Sequence, residues 1–151
     1  MTQPVPPLYR QADMPQRIAL IAESFVRLLG RDLVELHVDP VAALWLAPCV
    51  VVAHGMEADP CFFFANRAAL TAFRATLGQF IGMPSRFSAE APLRGERQAL
   101  LDRVSAAGFI DDYAGVRVAL DGHRFRIEQA VVWNLVDPAG IRHGQAAMFM
   151  I

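Results

Sequence analysis

The sequence predicts an α+β fold in which one five-stranded antiparallel sheet has helices packed on one face. The 151 residues suit a single domain with a full hydrophobic core. Apolar residues recur at helical spacing over much of the chain, interrupted by one pair of short β-branched and aromatic runs. Roughly the last forty residues form three longer runs of strand character, joined by glycine-containing turns. An order of helices, two strands, three short helices and three strands fits one antiparallel sheet.

The N-terminal residues predict a tail and then an amphipathic helix. Residues 1–12 are rich in proline and lack periodicity, so we expect a flexible or loosely docked tail. Asp13, with Gln16 three residues later, has the spacing of a capping box, and Gly30 suits the end of the helix. The predicted organisation is a tail at 1–12, an N-terminal flanking helix at 13–40 and the sheet domain at 41–151.

A short helix, a β-hairpin and three further helices come next. "VDPVAALWLAP" predicts a helix that Asp39 caps and Pro48 ends. "VVVAHGMEADPCFFFAN" has two apolar runs around a polar centre and predicts the first hairpin of the sheet. Asn66 is expected to cap the following helix, Thr76 with Gln79 repeats the capping-box spacing, and "RGERQALLDRVSAAG" predicts a longer helix.

The strand "RFRIEQAVVWNLV" supplies the candidate ligand-binding residues. Strict alternation puts the set from Phe125 to Leu135 on the face that looks toward the helices, with Gln129 as a polar group among apolar neighbours. A buried amide costs about 1–3 kcal/mol unless its hydrogen bonds are met. Either a neighbouring helix or backbone group bonds Gln129, or a ligand does. The residues predicted to line a pocket are Gln129, Phe125, Ile127, Val131, Trp133, Phe73 and Tyr113.

The opposite face of that strand is partly apolar, because Ala130 and Val132 lie beside Arg126 and Glu128. The last strand adds "AAMFMI" to this face. An apolar outer face needs a cover. Two candidates are the N-terminal amphipathic helix and a second copy of the chain.

A polar group of His54, Glu57 and Asp59 lies in the predicted first hairpin. These residue types occur in divalent-metal sites and in acid–base pairs, so a small enzyme or metal-binding protein is the alternative function. Their spacing matches no metal motif. We therefore interpret the stretch as a turn, with Gly55 at positive φ and the carboxylates bonding backbone N–H groups or His54.

Composition excludes several other classes of function. The net charge is −1 with acidic and basic residues mixed, so no nucleic-acid partner is expected. All fourteen basic residues are arginine, which excludes Schiff-base and phosphate-loop lysine chemistry. Neither a bilayer-spanning run nor a signal sequence is predicted, so a cytoplasmic protein without a membrane partner is expected. Cys49 and Cys61 are expected to be reduced.

Several longer motifs carry a family resemblance. "HGMEADPCFFFANRAAL", "MPSRFSAE", "GFIDDYAGVR" and "RFRIEQAVVWNLVDPAG", followed by "GQAA", resemble the MEKHLA domain, a PAS-related family. The resemblance runs from about Leu44 to the C-terminus. It implies a PAS-like five-stranded antiparallel sheet and a sensory or regulatory module without established catalysis. Because PAS domains commonly dimerise through a flanking helix or the sheet face, it also implies a homodimer.

The resemblance bears on cofactors only through particular residues. Flavin-binding light sensors of this fold carry a reactive cysteine in an "NCRF" motif, and the similar stretch here, Pro84 to Phe87, reads "PSRF". A flavin thiol adduct is therefore disfavoured. Haem-binding relatives ligate iron with a histidine on a helix beside the pocket, and the predicted helices after Asn66 and from Arg94 contain none, so helix-ligated haem is disfavoured. The cofactor stays unknown.

The function these patterns favour is a cytoplasmic regulatory domain that binds a small apolar ligand, mediates protein interaction, or both. A dimerisation module with a solid core is a second hypothesis. The small enzyme or metal protein centred on His54 is the third.

Overall fold

The computed structural model describes residues 4–34, 39–89 and 94–150, without the side chains of residues 94–98 and 101. The α-helices are α1 (Met14–Leu29), α2 (Pro40–Leu46), α3 (Arg67–Ala72), α4 (Leu77–Phe80) and α5 (Arg94–Ala107). The strands are β1 (Val50–His54), β2 (Phe62–Ala65), β3 (Phe109–Val118), β4 (Arg124–Val136) and β5 (Arg142–Phe149). Two 3-10 helices cover Pro7–Arg10 and Ser85–Ser88. Among the described residues no helix is long and apolar enough to cross a bilayer.

The five strands form one antiparallel sheet in the order β2-β1-β5-β4-β3. The strands that come first and last in the chain, β1 and β5, are therefore neighbours, and β5 is the central strand of the sheet. Two cores result, one on each face. We call the face under α3, α4 and α5 the helix-side face, and the face under α1 and α2 the N-terminal face. The predicted α+β fold with a five-stranded antiparallel sheet is confirmed.

A bulge in β4 makes the predicted alternation wrong. Gln129 has φ 53°, a left-handed conformation, and two residues, Glu128 and Gln129, oppose the single residue Ala114 of β3. The side chains therefore change face at this point. Phe125 and Ile127 lie on the helix-side face, followed by Ala130 and Val132, whereas the N-terminal face receives Val131, Trp133 and Leu135.

The cover of the N-terminal face comes from the chain itself. The indole Nε1–H of Trp133 donates a hydrogen bond to the carbonyl oxygen of Ile21 in α1 at 3.1 Å. Phe25 meets the Trp133 ring edge-on, with 4.9 Å between ring centroids. The Ser24 hydroxyl accepts from the N–H of Val136 at 2.9 Å and donates to its carbonyl oxygen at 3.1 Å. The amphipathic helix therefore covers one sheet face, but not the face that was predicted to need a cover, because Ala130 and Val132 lie on the helix-side face.

The N-terminal residues differ from the predictions at Tyr9 and at Asp13. Residues 7–10 form a 3-10 helix, and Tyr9 is fully buried, with its hydroxyl bonded to both the N–H and the carbonyl of Ala65. The predicted flexible tail is therefore packed at this residue. Asp13 precedes α1 but makes no capping hydrogen bond, because its φ −89° and ψ 5° are not the extended backbone that a capping side chain needs.

Other helix ends agree with the sequence. Asp39 accepts a hydrogen bond from the N–H of Val41, and Thr76 with Gln79 forms a complete capping box. Gly30 closes α1 at φ 71°. These contacts fix where each element begins and ends, and so they fix which side chains reach the helix-side face.

Candidate functional site

One end of the helix-side face is filled by aromatic rings. Phe73 lies 5.3 Å from Phe80 and 5.3 Å from Phe125, measured between ring centroids. Phe62 stacks on Phe80 at 4.4 Å, and Phe149 completes the group at 6.4 Å from Phe73. Such pairs add about 0.5–1.5 kcal/mol each beyond their buried area. This end of the face is a packed core.

The middle of the same face carries small side chains. Ala130 of β4 is fully buried, and Ala147 of β5 pairs with Val132. Ala147 stays partly exposed although β5 is the central strand of the sheet and α5 packs nearby through Val104. Among the described side chains, those packed around Ala147 therefore cover it only in part.

The far end of the face carries polar side chains on three neighbouring strands. His54 of β1 is directly opposite Gln145 of β5, which is directly opposite Asn134 of β4. Directly opposite residues share a face, so these three form one row, which we call the polar row. The amide Nε2 of Gln145 lies 3.5 Å from Oδ1 of Asn134, and Gln145 is 7% exposed.

Each member of the polar row carries hydrogen-bonding groups on this face. Amide side chains both donate and accept, so Asn134 and Gln145 match a ligand edge that mixes donors and acceptors. His54 Nδ1 lies 3.0 Å from the carbonyl oxygen of Gly55. Because a carbonyl only accepts, this contact requires a proton on Nδ1.

Close approach of two backbones holds the row in place. A Cβ at Gly144 would lie 2.2 Å from the carbonyl oxygen of His54, so only glycine fits there. β5 can therefore lie against the end of β1, with Gln145 opposite His54. This contact sets the spacing of the polar row across the two strands.

The predicted pocket residues are divided between the two faces. Phe73, Phe125, Ile127 and Tyr113 lie together on the helix-side face. Val131 and Trp133 lie on the N-terminal face in contact with the α1 core. Gln129 is exposed at the bulge, so the expectation of a buried polar group at this position was wrong.

The predicted polar group does not come together. Asp59 accepts from Nε of Arg86 at 3.1 and 3.2 Å, and Glu57 accepts from the N–H of Cys61 at 3.4 Å. Gly55 does not have positive φ, contrary to the predicted turn geometry. Within residues 4–34, 39–89 and 94–150, no three His, Cys, Asp or Glu side chains form a metal site. The stretch is the loop of the β1–β2 hairpin, as the turn interpretation predicts.

Sequence reasoning missed Asn134 and Gln145. Asn134 was assigned to the outer face, because alternation was counted without the bulge at Gln129. Gln145 carried no signal of its own. A count outward from the turn at 137–140 also fails, because the register shifts between Leu135 and Val136.

Comparison with known proteins agrees with this fold. A family model described as "MEKHLA domain" matches residues 15–151, a longer match than the one expected from Leu44. No curated protein matches the chain.

Solved structures of PAS and light-oxygen-voltage proteins superpose on the chain. The PAS domain of a protein from Colwellia psychrerythraea is 15% identical, with a TM-score of 0.62, and the alignment covers 72% of this chain and 89% of that one. An RNA-binding light-oxygen-voltage receptor is 20% identical, with a TM-score of 0.62, covering 72% and 31%. A light-oxygen-voltage domain whose mechanism was studied with a flavin analogue is 19% identical, with a TM-score of 0.59, covering 72% and 81%. At these identities the likeness is one of fold, and the fold is PAS-like.

Proposed function

The chain belongs to the MEKHLA domain family, and on that premise we propose that it is a sensory or regulatory domain that binds a small ligand on the helix-side face. The observation that carries the proposal is the polar row. Asn134 is only partly buried, and the two amides have more donors and acceptors than their mutual contact uses, so the polar edge of a ligand would find hydrogen-bond partners there.

The ligand is a small, mostly apolar molecule with one hydrogen-bonding edge. Its apolar part would contact Ala147, which is only partly covered, and its polar edge would face Asn134 and Gln145. Flavin is the first probe, since a solved structure with the same fold was studied with a flavin analogue.

Neither described cysteine lies on the helix-side face to form a thiol adduct. Cys49 belongs to the core of the N-terminal face, and Cys61 lies in the β1–β2 loop with its Sγ 3.3 Å from the carbonyl oxygen of Asp59. The proposed binding is therefore non-covalent. No catalysis is proposed.

The output of the domain is the contact between β4 and α1. Asn134 lies between Trp133 and Leu135, whose side chains are on the other face of the same strand. Trp133 bonds the α1 backbone, and Ser24 of α1 bonds Val136 two residues beyond Asn134. A ligand that shifts Asn134 would therefore alter how α1 packs against β4. We also keep the predicted homodimer, which light scattering at several protein concentrations tests directly.

The test compares ligand binding in matched variants. Thermal unfolding with flavins and a metabolite panel is measured for the unmodified chain and for Asn134→Leu with Gln145→Leu. Ligand at 100 times its Kd should stabilise the unmodified chain by about 2.7 kcal/mol, and the double variant should lose this gain. Gln129→Gly is the control, because it removes an exposed amide of the same strand at a position with positive φ.

Two results would contradict the proposal. One is the absence of any stabilising ligand for a protein that purifies without cargo. The other is equal stabilisation of the double variant, which would place the ligand elsewhere.

A protein-interaction module with a solid core is the second candidate function. The aromatic end of the helix-side face favours it, because Phe62, Phe73 and Phe80 already fill the space between sheet and helices. The same measurements separate the two candidates, since a solid core gives no cargo and no ligand-dependent stabilisation.

A further inference from the structure

Three residues with sulfur-containing side chains, Cys49, Met148 and Met150, line one groove beside α2. Val50 pairs with Phe149 and Val51 pairs with Met148 in the antiparallel register of β1 and β5. Cys49 and Met150 directly flank the last pair, Val50 and Phe149, so an extension of the register by one residue would bring them opposite each other. Directly opposite residues have Cβ atoms about 4.5–5.5 Å apart and share a face, and diagonal neighbours are within reach of long side chains. Met148 is such a diagonal neighbour of Cys49.

All three side chains line one open groove. The groove has a volume of about 630 Å³ and is bounded by Cys49, Met148 and Met150 together with Leu46 and Ala43. Cys49 is 8% exposed and Met150 is 65% exposed, so the group is reachable from solvent at one side. We call Cys49, Met148 and Met150 the sulfur cluster.

The chemistry of the cluster selects a soft, monovalent ion. Thiolate and thioether sulfur atoms favour Cu(I) over the harder divalent ions, which take nitrogen and oxygen ligands. One thiolate and two neutral thioethers around a 1+ ion give a neutral complex. A neutral complex suits an apolar groove, where an unpaired charge would be costly. The charged residues at the groove, Arg31 and Asp39, have other contacts: Arg31 lies over the Phe25 ring and Asp39 is paired with Arg10.

From this juxtaposition we propose that Cys49, Met148 and Met150 form a binding site for a soft monovalent metal ion, Cu(I) in the cell and Ag(I) as its redox-stable equivalent. Binding replaces the thiol proton: the S–H bond of Cys49 breaks, a sulfur–metal bond forms and one proton goes to solvent. The metal keeps its oxidation state throughout. The site is separate from the polar row, which lies on the other face of the sheet.

A cysteine thiol has an ordinary pKa of about 8.5, so it is mostly protonated at neutral pH in the absence of metal. Each bound ion should therefore release about one proton, and the affinity should rise with pH. A site made of thioethers alone would bind without releasing a proton. Proton release thus reports whether the cysteine takes part.

The experiment uses the full chain carrying Cys61→Ser, so that Cys49 is its only thiol. Ag(I) stoichiometry is measured by native mass spectrometry, and Cu(I) affinity by competition with a chromogenic chelator under reducing, anaerobic conditions. We expect one ion per chain. Met148→Leu and Met150→Leu should each weaken binding by about 10- to 100-fold or more. Met56→Leu is the matched control, since Met56 is 55% exposed and does not line the groove.

Cys49→Ser should abolish binding. The methionine variants keep the test decisive if that substitution at a buried position impairs folding, because Met150 is mostly exposed and leucine has similar volume. The inference is overturned if the chain does not compete with the chelator. It is also overturned if the Met148→Leu, Met150→Leu double variant binds as tightly as its parent, which would reduce the site to a single thiol.

Discussion

Asn66 offers the sharpest test of how the sheet is joined to its helices. Its side chain is fully buried and makes four hydrogen bonds. The carbonyl Oδ1 accepts from the N–H groups of Val51 and Ala69 at 3.1 and 2.9 Å. The amide Nδ2 donates to the carbonyl oxygens of Leu44 and Cys49 at 3.1 and 2.8 Å. One side chain therefore links α2, β1 and the start of α3.

The expected cost follows from these contacts. Each hydrogen bond contributes about 1 kcal/mol net, so Asn66→Ala should lower the free energy of unfolding by about 4 kcal/mol. For a domain of this size that corresponds to about 8–16 °C in Tm. Asn66→Asp keeps the two accepted bonds and a good helix cap, but it turns both donors into an oxygen that faces two carbonyl groups. We expect it to cost at least about 2 kcal/mol.

Urea unfolding followed by circular dichroism measures both variants. Thr76→Ala is the matched control, because Thr76 caps α4 from an exposed position and should cost about 1 kcal/mol. A neutral Asn66→Asp, or an Asn66→Ala no worse than the Thr76 control, would refute the reasoning. Asn66 would then act only as a helix cap.

Three further predictions concern Tyr9 in the N-terminal 3-10 helix and the bulge of β4 at Gln129. Tyr9→Phe should lower the unfolding free energy by about 1–3 kcal/mol, since it leaves the N–H and the carbonyl of Ala65 without their hydrogen-bond partner. Tyr113→Phe is the control in the same denaturation assay. Burial raises the pKa of Tyr9 above its ordinary value near 10. The stability that Tyr9 contributes is therefore complete below that pH and falls as pH rises further. A plot of unfolding free energy against alkaline pH should be flatter for Tyr9→Phe than for the unmodified chain, and identical plots would contradict this. Gln129→Gly should leave the unfolding free energy unchanged or raise it by up to about 1 kcal/mol. Gln129→Val should lower it by about 1–2 kcal/mol, because a β-branched residue is strained at φ 53°. Equal stabilities of these two variants would argue against the bulge.

Local signals in the sequence predicted most of the fold. Helix ends at Asp39, Asn66 and Gly30 follow from capping chemistry, and the last two turns follow from Gly122 and Gly140, both at positive φ. These features depend on residues close together in the chain. Antiparallel pairing then leaves few other arrangements for the strands.

The candidate site was less predictable because it depends on a single irregular residue. Gln129 is not glycine, so its residue type does not predict a left-handed conformation. One bulge moves every later side chain of β4 to the other face. Asn134 therefore lies on the face that strict alternation excludes, and Trp133 lies against α1 instead of a ligand.

Tyr9 and Asn66 illustrate a second limit. Their long-range contacts join segments that are 56 and 22 residues apart in the chain. A proline-rich tail gives no sign that one tyrosine will bond a strand backbone, and a helix cap gives no sign that its amide will also bond two other segments. Such contacts exist only once the sheet and helices have come together.

Native mass spectrometry of freshly purified protein tests the central claim most directly. We predict that the unmodified chain and Gln129→Gly carry the same organic small molecule, and that Asn134→Leu with Gln145→Leu carries none while remaining folded. The bare polypeptide mass in every sample, or the same cargo in the double variant, would contradict ligand binding at the polar row.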